Sequence, residues 1–80
     1  MTKNDLRQEL VKKDIPADFY SLDGGLPNEV YCLNRGAKGW EVYYSERGQK
    51  TGLKTFETEA EACDYFYQSL LEVLKDMNLL

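Results

Sequence analysis

The hydrophobic period of this chain changes at Phe56–Thr58, and that junction narrows the architectures open to it more than any other feature. Upstream, Trp40, Val42 and Tyr44 alternate with Glu41, Tyr43 and Ser45, the two-residue period of a strand with one buried face. Downstream, Cys63, Phe66, Leu70, Val73 or Leu74, and Met77 recur at the spacing of an amphipathic helix. Between them stands Thr58-Glu59-Ala60-Glu61, a T-x-x-E capping box. In such a box the hydroxyl accepts from the third-position N–H and the carboxylate accepts from the N–H of the cap residue. A sheet that leads directly into a helix with one apolar stripe buries both surfaces by laying the helix across the sheet.

The rest of the chain fits around that pair. A first helix is expected from Lys3 to about Lys13, capped by Thr2 with Asp5 as the capping-box acid, and with Leu6, Leu10 and Val11 as its apolar stripe. Pro16 stops it, because proline lacks an N–H and restricts the residue before it. Ile15 to Asn28 reads as an ordered loop with turns at Asp23-Gly24-Gly25 and Leu26-Pro27-Asn28, pinned to the core by Ile15, Phe19, Tyr20 and Leu22. Glu29 to Asn34 is a first strand, Asn34 to Gly39 a glycine-bearing connection, and Trp40 to Ser45 a second strand. Glu46-Arg47-Gly48-Gln49 is a tight hairpin leading to a more polar third strand, Gln49 to Phe56, in which Gly52 marks a bulge. The expected fold is α+β in the order α-β-β-β-α: one domain over residues 1–80, a three-stranded antiparallel meander packed against two helices.

Composition restricts the chemistry. There is no histidine, and Cys32 and Cys63 stand alone in different expected elements, so a zinc site lacks its ligands and no cofactor is expected. The two thiols read as small hydrophobes rather than as a disulfide. A serine or cysteine nucleophile has no histidine base. The glycines at 24–25 and at 36 and 39 do not form a phosphate loop and serve turns instead. Carboxylates are plentiful, but capping accounts for Glu59 and Glu61, and eighty residues leave little room for a hydrolytic cleft. No apolar run is long enough to cross a bilayer, and Met1-Thr2-Lys3-Asn4-Asp5 carries no apolar signal core, so the expected location is the cytoplasm.

Charge is uneven. Residues 1–56 hold nine Lys/Arg against eight Asp/Glu, a net of +1, whereas residues 57–80 hold one Lys against six Asp/Glu, a net of −5. The stretch Asp14, Asp18, Asp23 and Glu29 is also wholly acidic. The α-β-β-β-α order is shared with the double-stranded RNA-binding domain, which meets phosphates with a basic last-helix start. Here that position reads Glu57-Thr58-Glu59-Ala60-Glu61, of the opposite sign, so nucleic acid is not the expected partner and a basic protein is. Six tyrosines add to this, since an exposed tyrosine beside carboxylates suits a binding surface. By alternation Tyr44 shares the core face with Trp40 and Val42, while Tyr43 points away with Glu41; Tyr65 and Tyr67 flank the stripe of the last helix. The candidate partner-binding residues are Asp18, Tyr20, Asp23, Glu41, Tyr43, Glu57, Glu59, Asp64 and Tyr67.

Three segments carry a family likeness: Ile15-Pro16-x-x-x-Tyr20-Ser21-Leu22; Gly39-Trp40-x-Val42-Tyr43-Tyr44-Ser45-Glu46-Arg47-Gly48; and Phe56-x-Thr58-Glu59-x-Glu61-Ala62-Cys63. Together, over roughly residues 15–70, they resemble small immunity proteins of bacterial polymorphic toxin systems. The resemblance implies a protein without catalytic residues that neutralises a cognate toxin in the producing cell by tight binding, often by covering its active site. Many such proteins are acidic because many of their toxins are basic nucleases. The expectation is therefore a cytoplasmic toxin inhibitor, a monomer or weak homodimer, that touches neither nucleic acid nor membrane. The alternatives are an accessory or regulatory protein-binding module and a domain related to the double-stranded RNA binders.

Overall fold

The computed structural model describes residues 1–79. It is an α+β fold of two helices and a four-stranded mixed sheet. Helix α1 spans Lys3–Lys12 and helix α2 spans Glu59–Asp76. Strands β1 (Tyr20–Ser21), β2 (Val30–Gly36), β3 (Gly39–Glu46) and β4 (Gln49–Phe56) lie in that order across the sheet.

The local signals hold. Thr2 and Asp5 form the capping box of α1, with Asp5 N–H donating to Thr2 Oγ1 at 3.1 Å and Thr2 N–H to Asp5 Oδ2 at 3.0 Å. The cap interaction holds the Asp5 carboxyl below its ordinary pKa, first through the Thr2 N–H. At α2 the box is half formed. Glu61 N–H donates to Thr58 Oγ1 at 3.2 Å, but the Glu61 carboxylate accepts from the threonine hydroxyl itself rather than from its backbone. Arg47 and Gly48 both take positive φ in the β3–β4 hairpin, the backbone such a two-residue turn requires. Gly52, at φ 63°, sits where the β3–β4 register shifts between Val42 and Tyr44, so the expected bulge is present.

Three expectations are corrected. The sheet has four strands, because the middle of the long loop pairs with β2: Tyr20 aligns with Tyr31 and Ser21 with Cys32, in parallel. The connection before β3 is shorter than expected. Asn34 and Arg35 remain in the ladder opposite Glu41 and Trp40, which leaves only Ala37-Lys38 to turn. Asn34 Nδ2 donates to Glu41 Oε1 at 3.0 Å and the Arg35 guanidinium lies 5.7 Å from the Trp40 ring, and these cross-strand contacts extend the pairing. The apolar stripes are also narrower than their periodicity. Leu6 and Leu10 are fully buried but Val11 is 63% exposed; in α2, Ala62, Cys63, Phe66, Leu70 and Leu74 are buried while Val73 and Met77 are not.

The core lies between the helices and one face of the sheet. Leu33 and Val42 pair across β2 and β3 beneath Phe66, whose ring meets Tyr31 at 5.0 Å between centroids. Tyr65 covers the β4 side, 5.2 Å from the Phe56 ring, with Lys54 Nζ 5.7 Å from its own. The opposite face is also covered at its centre. Residues 22–29 cross it between β1 and β2: Gly24 N–H donates to Leu33 O at 3.0 Å, and Tyr43 OH donates to Gly25 O at 2.7 Å. Gly24 is required there, since it has φ 71° and a Cβ would collide with the Asn34 side chain.

Candidate functional site

The nine residues singled out from the sequence do not form one surface. Tyr43 does point away from Val42, as alternation requires, but it is only 1% exposed. The loop lies over it, Cys32 pairs beside it, and Lys50 Nζ sits 4.9 Å from its ring. Burial pushes its phenol up to about 12. Tyr43 is therefore a pillar under the loop, and its selection as a contact residue is corrected. Glu41 beside it is half-buried and engaged by both Asn34 and Lys50, the latter at 3.1 Å. Those two donors, Asn34 first, hold its carboxyl below the ordinary range.

Asp23 is exposed but not free. Lys3 Nζ lies 2.6 Å from one of its oxygens and Arg7 3.9 Å from the other, and the Lys3 contact lowers its pKa. Glu59 accepts from the Lys3 backbone N–H at 3.1 Å, so it caps α1 as well as starting α2. Lys3 thus stands between the acidic loop and the α2 start. Asp64 lies 3.6 Å from the Met1 amino group. Tyr20 and Tyr67 are half-buried and pack on the core. Asp18 and Glu57 are exposed, with no Lys or Arg at ion-pair distance among the described residues. The same holds for Glu61, Glu72 and Asp76, so α2 carries acid that the protein's own basic side chains leave unneutralised.

The cysteines are both buried and unpaired. Burial, with Glu59 nearby, raises the Cys63 thiol to about 11, and burial raises Cys32 as well, which keeps both as inert thiols near neutral pH. Among the described residues no three His, Cys, Asp or Glu side chains are placed to hold a metal ion. No helix among them is long and apolar enough to cross a membrane.

Tyr20 and Asp23 line a shallow hollow of about 400 Å³ with Arg7 and Val11, and a more apolar concave site, not visible as a site in the sequence, lies elsewhere. A groove of about 490 Å³ opens between the C-terminal half of α2 and the sheet. The sheet contributes Tyr31 and Tyr44, α2 contributes Leu70, Val73 and Met77, and the short 3-10 turn Ala17–Phe19 contributes Phe19. Glu29 lines it too, held at φ 57°, a left-handed conformation uncommon for glutamate. Partial burial, then the Glu29 and Glu46 carboxylates, raise the Tyr44 phenol above its ordinary value. The signal for this groove lay in the α2 stripe, which runs on to Met77 although the protein's own core stops covering it earlier.

Comparison with family models, with curated proteins and with solved structures returned no match to this chain.

Proposed function

We propose that this chain is a non-enzymatic inhibitor of the immunity type, which binds a basic toxin domain in the cell that makes it and blocks it by tight association. The observation that carries the reading is the charge of α2. Its helix and lead-in hold six carboxylates against one lysine, and no Lys or Arg side chain elsewhere among the described residues folds back onto them. A surface with that potential attracts basic macromolecules, accelerates their encounter and repels nucleic-acid phosphate. The likeness of the three sequence segments to immunity proteins supplies the class of partner.

The direct experiment is co-expression of the chain with toxin domains encoded beside its gene, scored for rescue of growth. Rescue by the wild type and by no unrelated acidic protein is the expected result. Within a verified pair, reversing Glu57, Glu61 and Asp64 together to lysine should slow association by about tenfold or more at low salt, with a smaller effect at high salt. Glu59 is left out of that set because it also caps α1. Association rates indifferent to the triple reversal would remove the start of α2 from the interface.

A further inference from the structure

We infer that the groove between α2 and the sheet is a docking site for an amphipathic helix of a basic partner, an inference that rests on the reading of the chain as a binder of basic proteins. The first ground is the apolar stripe of α2. Val73 is 47% exposed and Met77 57% exposed, although both fall on the helical period that buries Phe66, Leu70 and Leu74. With Tyr31, Tyr44 and Phe19 they make a concave surface that the described residues leave without a cover. Large apolar side chains placed together in such a setting mark interaction surfaces.

The chemistry of the occupant follows from the rest of the site. The groove lies over a sheet face, where the backbone bonds of β2 and β3 are already used between strands. An added strand would find no ladder there, whereas a helix satisfies its own backbone and needs only side-chain contact. The sheet's edges are β4, which is blunted by Lys50, Lys54 and the bulge at Gly52, and β1, which is only two residues long. Charge selects the sign. Glu29 stands in the groove and Glu46 lies close enough to act on Tyr44, while the negative pole of α2 is met by Lys75 in its own last turn, so the two carboxylates set the sign. A second copy of this chain fits poorly, since a two-fold contact through this groove would bring together two surfaces of the same sign. Lys and Arg flanking an apolar helical stripe complement the same surface.

The test uses the full chain and a fluorescein-labelled peptide of about 15 Leu and Lys residues, with Leu at helical spacing so that one face is apolar. A peptide of the same composition, scrambled so that no face is apolar, is the control. The wild type should bind the amphipathic peptide at least about tenfold more tightly than the scrambled one, as expected where buried anchors dominate. Val73→Ser with Met77→Ser should abolish that preference, with far-UV circular dichroism unchanged. Glu29→Gln with Glu46→Gln should weaken both peptides at low salt and keep the preference. Amide shifts on titration should concentrate at Tyr31, Tyr44, Val73 and Met77.

Equal binding of the two peptides, or a preference untouched by the serine pair, would overturn the inference. So would a wild-type dimer in sedimentation that the serine pair disperses, which would make the occupant a second copy. The two readings separate cleanly. Growth rescue that survives the serine pair keeps the inhibitor and removes the groove; a peptide preference lost with the serine pair, without rescue of any neighbouring toxin, keeps the groove and removes the immunity role.

Discussion

The two ends of α2 obey one rule and meet opposite fates. At the N-terminal end Thr58 caps the first turn, Glu59 ties it to α1, and Ala62, Cys63 and Phe66 are wholly enclosed. At the C-terminal end the same helical spacing continues, yet Val73 and Met77 face a groove. Periodicity states which side of a helix is apolar. It does not state what covers that side, and the difference between the ends of α2 is a difference in cover alone.

That contrast can be broken by mutation. Phe66→Ala, at the enclosed end, removes the ring that meets Tyr31 and should cost about 3–5 kcal/mol, read from urea unfolding. A cost near that of a surface residue would mean that the core is not centred where the helix crosses β2 and β3. Thr58→Ala should cost about 1 kcal/mol by loss of the cap, measured in the same way. At the open end, Val73→Ser with Met77→Ser should change stability by no more than about 0.5 kcal/mol per site, as for surface positions. A loss of several kcal/mol there would show that the protein itself depends on those side chains, and the contrast between the ends would disappear.

What could be read from the sequence was what short-range chemistry specifies. The Thr2–Asp5 box, the Thr58 cap, the Arg47-Gly48 turn and the Gly52 bulge each need only four or five neighbouring residues to declare themselves, and all four are present. The parallel pairing of Tyr20-Ser21 with β2 joins residues eleven apart and is too short to show a period. Tyr43 illustrates the limit well. Alternation placed it correctly on the face opposite Val42, but its burial depends on a separate segment, the Gly24-Gly25 turn, arriving over it. The candidate residues meet the same limit. Asp23, Glu41 and Glu59 were chosen for their charge, and each proved to have an intramolecular partner that sequence spacing does not reveal.

The strap formed by residues 22–29 has a consequence for access. A small mixed sheet with helices on one side would ordinarily leave its other side wet. Here the phenol of Tyr43 fastens the strap from beneath, so the side of the two central strands that faces away from the helices is screened as well. A visiting macromolecule cannot lie flat on that side. Its approach is left to the helix side, where the groove opens, and to the sheet's edges, and drift in the strap's sequence would alter the architecture before it altered recognition.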